Sequence, residues 1–206
     1  MRLHAIPHST NVHRVQIALA LKGLEVEVIQ HAVADRGAIR ALSGQDLVPV
    51  LEADDGEILT DSMPIVAWID ARWPEPNRLY PEDPKARREV EAFIDFFNFV
   101  WKVPPNAIDA ARGADDPRVD GWRAQLAAWQ SGFEALLHDR LFLFGDRVSA
   151  ADVCAYPFLR FATSSDPSDD DLFHGVLKDA LPALPRLSAW TDRMADVAGV
   201  RGAENL

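Results

Sequence analysis

The stretch LVPVLEADDGEILTDSMPIVAWID, residues 47–70, decides the fold of this chain. It predicts a short apolar strand entered through Val48–Pro49, a turn at residues 54–56, a second strand, and a helix that opens at Asp61–Ser62. Because a proline cannot donate to a sheet ladder, Pro49 belongs at a sheet edge or beside a ligand. If the Val48–Pro49 bond is cis, the backbone N–H and C=O of Val48 turn outward and can pair with an extended peptide.

The predicted helix start at Asp61–Ser62 offers a second binding feature. The first N–H groups of a helix have no partner within it and can bind a carboxylate, and the Asp61 carboxylate can bind an amine. A short peptide with an amino-acid head could therefore occupy this helix end and the strand at Val48 together.

Composition and charge narrow the class of protein. The chain has 206 residues, of which 48% are hydrophobic and 26% charged, an ordinary balance for one large or two small domains. It lacks a run of 18 apolar residues and a signal-peptide core, so we expect a cytoplasmic protein without a membrane span. The net charge of −11 argues against non-specific nucleic-acid or anionic-membrane binding. A single cysteine, Cys154, excludes an internal disulfide and a Cys-x-x-C pair.

Hydrophobic periodicity predicts two domains. Residues 1–76 give the order β-α-β-α-β-β-α, and a proline-rich segment then leads to residues 84–206, which are predicted to be almost entirely helical. The first helix beyond this linker is predicted over residues 84–103 and is expected to stop at Pro104–Pro105. Ser149 and Asp152 predict a capping box at the start of a later helix.

Four motifs stand in order along the chain: HSTNVHRV (8–15), VPVL (48–51), DSMPI (61–65) and LFGDRVSAAD (143–152). Together they resemble the cytosolic glutathione transferases, in particular a bacterial, serine-type member with a zeta-like first turn. Pro64 replaces a small residue of the family motif, which the first turn of a helix tolerates. The resemblance covers nearly the whole chain and implies a thioredoxin-like α/β domain followed by an all-α domain.

The resemblance implies glutathione as co-substrate and no metal, and the energetics of thiol activation can be checked. The reacting species is the thiolate, whose parent thiol has a pKa near about 8.5. Lowering that pKa by about two takes about 2.7 kcal/mol. A hydroxyl hydrogen bond to the anion supplies roughly 1.5–3 kcal/mol, and the first helix's amino end adds about 0.3–1 kcal/mol. One hydroxyl donor therefore nearly suffices.

The identity of this donor is left open between neighbouring residues of the first turn. The first tyrosine of the chain is Tyr80 and the turn has no cysteine, so the tyrosine and mixed-disulfide versions of the family are excluded. Ser9 falls where serine-type members place the first hydroxyl of their turn, and Thr10 and Asn11 follow. We take Ser9 and Asn11 as the catalytic candidates and Thr10 as a glutathione-binding one. All three residue types also suit a plain helix cap.

The resemblance assigns the remaining binding roles. Asp61 would hold the ammonium and Ser62 the carboxylate of the γ-glutamyl head, while Val48, next to Pro49, would pair with the cysteinyl backbone. Aromatic residues of the helix after the linker, above all Phe97 and Trp101, would line an apolar electrophile pocket. An aromatic stripe at helical spacing fits core or dimer packing equally well.

The leading functional hypothesis is conjugation of glutathione to a small apolar electrophile, as in detoxification. The zeta-like spacing of residues 8–25 also favours a glutathione-dependent isomerase, although the family's third-position cysteine is absent. Disulfide reduction with two glutathiones follows if Asn11 contacts the sulfur, and a non-catalytic binding module is an alternative of another class. The family rule of two-fold homodimers implies a seam between the helices that begin at residues 62 and 84.

Overall fold

The computed structural model describes residues 1–110, 116–163, 169–197 and 199. These residues form two compact units. One unit comprises Met1–Pro81 with the described residues from Ala195 onward, and the other comprises Glu82–Met194. Within the described residues, no helix combines the length and apolarity that a membrane span requires.

The first unit contains a mixed four-stranded sheet of order β2-β1-β3-β4. Its strands are β1 (Arg2–Ala5), β2 (Glu27–Gln30), β3 (Val50–Glu52) and β4 (Ile58–Thr60). Strand β1 runs parallel to β2 and antiparallel to β3, and β3 pairs antiparallel with β4. The central strands lie in the core of this unit, since Leu3 and Ala5 of β1 and Val50 and Leu51 of β3 are fully buried.

Three helices complete this unit: α1 (Thr10–Leu21), α2 (Gly37–Ser43) and α3 (Ser62–Arg72). Helices α1 and α3 pack against each other and bury apolar side chains such as Val15 and Ile69. The predicted order β-α-β-α-β-β-α is confirmed. Helix α1 begins at Thr10, directly after Ser9, whose side chain caps it.

The second unit is helical throughout its regular structure. Its helices are α4 (Pro84–Phe96), α5 (Val103–Asp109), α6 (Val119–Leu136), α7 (Ala150–Leu159), α8 (Leu172–Ala180) and α9 (Pro185–Val197). Helix α7 starts with the predicted capping box. Burial raises the pKa of Asp152 in that box, and hydrogen bonds from Leu143, Ser149 and Trp190 oppose the rise.

The predicted stop at Pro104–Pro105 is wrong in its detail. Helix α4 ends at Phe96 and passes into a π-helical turn, Phe97–Trp101, before α5 begins at Val103. The two prolines lie in the first turn of α5. The first N–H groups of a helix have no intrahelical acceptor, so proline loses nothing there and starts a helix instead of ending one.

Candidate active site

The amino end of α1 carries the three predicted first-turn residues. Ser9 is the N-cap, and its hydroxyl oxygen accepts a hydrogen bond from the Val12 N–H at 3.3 Å. Thr10 opens the helix and Asn11 follows, both of them half-buried. The residue before the cap, His8, has a φ of 60°. This turn therefore presents two hydroxyls and one amide at a helix start, where the backbone N–H groups attract an anion.

The amino end of α3 is built by Asp61 and Ser62. Asp61 occupies the N-cap position at φ 63° and ψ 132°, a conformation that costs a non-glycine residue on the order of 1–3 kcal/mol. Its side chain makes no capping hydrogen bond and is exposed. This carboxylate therefore does not cap its own helix. Ser62, the first helical residue, is only 7% exposed.

Arg14 joins these two helix starts. The side chain is 1% exposed, and one terminal guanidinium nitrogen, Nη1, donates to Asn11 Oδ1 at 3.2 Å and to Ser62 Oγ at 3.1 Å. The predicted donor turn and the predicted γ-glutamyl site are thus linked by two hydrogen bonds from one nitrogen atom. Sequence reasoning gave Arg14 no role here. The available signal is its spacing from Ala18, because residues four apart lie on the same face of a helix and Ala18 is buried.

The entry to β3 has the predicted backbone geometry. The Val48–Pro49 peptide bond is cis, which confirms the expectation from the sequence. Pro49 is buried and Val48 half-buried. Among the described residues, neither the N–H nor the C=O of Val48 makes a hydrogen bond. The N–H can therefore donate to an added strand, and the C=O can accept from one.

Two family models match this chain. The model of the N-terminal domain of glutathione S-transferases matches residues 3–77, and that of the C-terminal domain matches residues 105–193. A maleylacetoacetate isomerase of Pseudomonas aeruginosa is 31% identical over 199 residues, which cover 91% of this chain and 89% of that protein. The chain belongs to the glutathione S-transferase family.

Other members of the glutathione S-transferase family resemble the chain over most of its length. Glutathione S-transferase U10 of Arabidopsis thaliana is 33% identical over 206 residues, covering 98% of this chain and 86% of that protein. Among solved structures, Rice GST1 (OsGSTU1) in complex with glutathione superposes with a TM-score of 0.81 at 22% identity, covering 97% of this chain and 88% of that one. The fold is that of a glutathione S-transferase, with a thioredoxin-like N-terminal domain and a helical C-terminal domain.

The two residues predicted to line an electrophile pocket lie in the core of the helical unit. Phe97 and Trp101 are both 0% exposed and stack on each other with ring centroids 4.3 Å apart. Phe133 and Phe158 pack against the same pair. Their packing role is therefore plain, and their contact with a second substrate stays a prediction. Val100, on the same turn, is 45% exposed.

Proposed function

We propose that this chain binds glutathione across the amino ends of α1 and α3 and ionises its thiol at the first turn. The single observation that carries the proposal is the pair of contacts from Arg14 to Asn11 and Ser62, because it makes the two helix starts adjacent. A thiol and an amino-acid head belonging to one tripeptide then find donors of suitable chemistry within one site.

The binding roles follow from what each group has left to offer. The Asp61 carboxylate is exposed and uncommitted to its own helix, so it suits the γ-glutamyl ammonium. The hydroxyl and N–H of Ser62 suit the γ-glutamyl carboxylate. Val48, preceding Pro49, would pair its backbone with the cysteinyl residue as an added strand does.

Ser9 is the leading candidate for the donor to the thiolate. Its oxygen accepts from Val12, which leaves the hydroxyl hydrogen for a ligand. Thr10 would contact the bound glutathione, and Asn11 is the rival donor through its amide N–H groups. This assignment corresponds to the serine-type, zeta-like interpretation of the first turn.

The reaction we propose begins with the glutathione thiolate as nucleophile. Its electron pair forms a carbon–sulfur bond with an electrophilic carbon, and a leaving group departs with its own pair or a proton adds to the adjacent carbon. Phe97 and Trp101 belong to the region proposed to receive the apolar electrophile. A cytoplasmic homodimer that serves detoxification is the setting proposed with this activity.

Isomerisation is a second candidate, favoured by the 31% identity to a maleylacetoacetate isomerase. In that case the same thiolate adds to a carbon–carbon double bond, the resulting single bond rotates, and the thiolate is expelled to restore the double bond. Glutathione is regenerated, so the two reactions differ in thiol balance although they share one site.

The test has two stages with purified protein. Calorimetry with glutathione measures binding, and turnover is then followed with an activated aryl chloride and with maleylacetoacetate while total free thiol is titrated. Conjugation consumes one thiol for each product, whereas isomerisation leaves the thiol concentration constant. Binding without turnover of either compound would instead support the non-catalytic module, and absence of glutathione binding would overturn the proposal.

A further inference from the structure

We propose that the helical unit has a second binding site, for a small carboxylate with an apolar body, in a cavity between the end of α8 and the start of α9. This inference goes beyond the proposed function. Every residue that carries it belongs to the helical unit, and none of them has a proposed role in binding glutathione or the electrophile.

The first step is the size and the place of the cavity. Its volume is about 390 Å³, which falls within the range of about 300–1,000 Å³ that is typical of small-molecule sites, and it is open to solvent. Its walls come from the 3₁₀ turn Arg160–Thr163, the last turn of α8, the 3₁₀ turn Leu181–Ala183 and the first turn of α9. The described residues that line it are Ala162, Lys178, Leu181, Pro182, Pro185 and Ser188.

The second step is the rigidity of the wall between the two helices. Pro182 lies in the 3₁₀ turn and Pro185 opens α9, and a proline ring fixes its own φ. The N–H of Leu184 donates to the Leu181 carbonyl at 2.8 Å, and the N–H of Ser188 donates to the Leu184 carbonyl at 3.0 Å. The backbone of this wall is therefore held in one conformation, and a ligand meets a preformed surface.

The third step is the chemistry of the lining. Four of the six lining residues are apolar, whereas Lys178 supplies a cation and Ser188 a hydroxyl. None of the described residues in this lining is acidic. The apolar wall suits a hydrocarbon body, and the cation beside it suits a carboxylate. Because the whole chain has a net charge of −11, it does not attract anions in general, so an anion needs such a local site.

The fourth step is the supply of hydrogen-bond donors. Asp169 Oδ2 accepts from Lys178 Nζ at 2.8 Å, and the other oxygen of Asp169 lies 2.7 Å from Nδ1 of His174. An ammonium group has three hydrogens, and Asp169 is the one acceptor of Lys178 among the described residues. The hydroxyl of Ser188 donates to none of these residues. Asp169 therefore holds the ammonium in place, while Lys178 and Ser188 keep hydrogens for a bound carboxylate.

The experiment uses the full chain and measures binding of 1-naphthoate by calorimetry. Its neutral counterpart, 1-naphthamide, has nearly the same shape without the charge. The variants are Lys178→Met and Ser188→Ala, and the matched control is Lys85→Met, which removes an exposed lysine from the first turn of α4 in the same unit. If Lys178→Met does not fold by circular dichroism, Lys178→Gln carries the same test, because glutamine can still donate to Asp169 but has no charge.

One 1-naphthoate should bind per chain, and 1-naphthamide should bind at least about tenfold more weakly. Lys178→Met should weaken binding of 1-naphthoate about tenfold, and Ser188→Ala about threefold, because each removes a donor to the carboxylate. Lys85→Met should leave the affinity unchanged. Saturating S-hexylglutathione, which carries an alkyl chain on its sulfur, should not displace 1-naphthoate.

The outcomes separate this site from the proposed glutathione site. Absence of 1-naphthoate binding, equal affinity for 1-naphthamide, or unchanged affinity in the Lys178 variant would overturn the second site. Displacement of 1-naphthoate by S-hexylglutathione would also overturn it, because the compound would then occupy the glutathione and electrophile site. A chain that binds 1-naphthoate but not glutathione would overturn the proposed function alone.

Discussion

Helix α1 is joined to α3 by a buried cation near each end, and the two cations have different surroundings. Near the amino end, Arg14 donates to the neutral oxygens of Asn11 and Ser62. At the carboxyl end, Lys22 is 6% exposed and forms an ion pair with Asp70, with 2.6 Å between Nζ and Oδ1. The contact near the amino end lies beside the proposed glutathione site, whereas the contact at the carboxyl end belongs to a closed network.

The ammonium group of Lys22 has an acceptor for each of its three hydrogens. It donates to Asp70 Oδ1, to the Pro74 carbonyl at 3.0 Å and to the Asn77 carbonyl. The Asp70 carboxylate also accepts the N–H groups of Leu79 and Tyr80 at 2.8 and 2.9 Å. This end of α1 therefore ties the segment after α3 to the unit. We therefore expect changes at the carboxyl end of α1 to lower stability and changes at its amino end to weaken the proposed binding.

The largest expected effect comes from breaking the closed end. Lys22→Met leaves the Asp70 charge buried and two carbonyls without their donor, so the free energy of unfolding should fall by about 3–5 kcal/mol. Urea denaturation followed by circular dichroism measures this loss. The control Arg72→Met removes an exposed ion pair with Asp55, which solvent screens, and should hardly change the denaturation midpoint.

A double variant sharpens this result. Lys22→Met with Asp70→Leu removes both buried charges, so its loss should be smaller than the sum of the two single losses. Strict additivity of the two losses would show that the ion pair does not couple the helices, and the contrast between the two ends of α1 would fail.

The next effect concerns the amino end of α1 and leaves the free energy of unfolding almost unchanged. Ser9→Gly removes the hydroxyl, whereas glycine remains an acceptable N-cap and costs only a few tenths of a kcal/mol. Turnover with glutathione should fall by about 10–100-fold, because a hydrogen bond to a charged group is lost. Steady-state kinetics beside a denaturation curve separates the two quantities.

Ser9→Thr and Asn11→Ala are the controls for this prediction. Threonine keeps both the cap and the hydroxyl, so Ser9→Thr should retain most of the activity. Asn11→Ala should lose less than Ser9→Gly if Ser9 is the donor. The reverse order would transfer the donor role to Asn11.

A smaller effect is expected at Asp61, which has a strained backbone conformation and a proposed role in binding glutathione. Glycine adopts a φ of 63° readily, so Asp61→Gly should raise the free energy of unfolding by about 1 kcal/mol. The same change removes the proposed ammonium partner and should weaken glutathione binding about tenfold. Calorimetry and thermal denaturation of the one variant measure both.

Asp61→Asn isolates the charge in that prediction. It keeps the side-chain shape and the strained backbone, so stability should stay near the wild-type value while glutathione binding weakens. A variant that gains stability without losing affinity would remove Asp61 from the binding site.

The sequence predicted the positions of these groups better than their connections. Turn residues at positions 9–11 and the Asp61–Ser62 pair could be located because helix starts have a compositional signature. Arg14 and Lys22 could not be assigned, since their partners on α3, Ser62 and Asp70, each lie 48 residues away along the chain. Local periodicity shows that a cationic side chain faces inward, but not which oxygen atom accepts its hydrogen bonds.

The aromatic residues illustrate a different limit. Phe97 and Trp101 recur at helical spacing, which a core position and a pocket position share. Only the packing of Phe133 and Phe158 against them shows how completely they are enclosed. The predicted stop at Pro104–Pro105 is wrong for a similar reason, because proline ends a helix in one position and starts it in another.

The smallest expected effect concerns the titratable side chain of His4. His4 on β1 lies with its Nδ1 2.9 Å from Nε2 of His31. Burial lowers the pKa of His4, the neighbouring His31 lowers it further, and Glu52 partly opposes both. The folded chain therefore binds a proton at this site less readily than the unfolded chain, whose histidine has a pKa near about 6.5.

The direction of the pH dependence follows from this lowered pKa. The contribution of His4 to stability is fully present above about pH 6.5 and is lost as the pH falls toward the lower folded-state pKa. The free energy of unfolding should therefore decline between about pH 6.5 and about pH 5, before most carboxylates titrate. His4→Gln should flatten that decline, and Lys22→Met should leave its slope unchanged. An equally steep decline in His4→Gln would assign the proton uptake to another group.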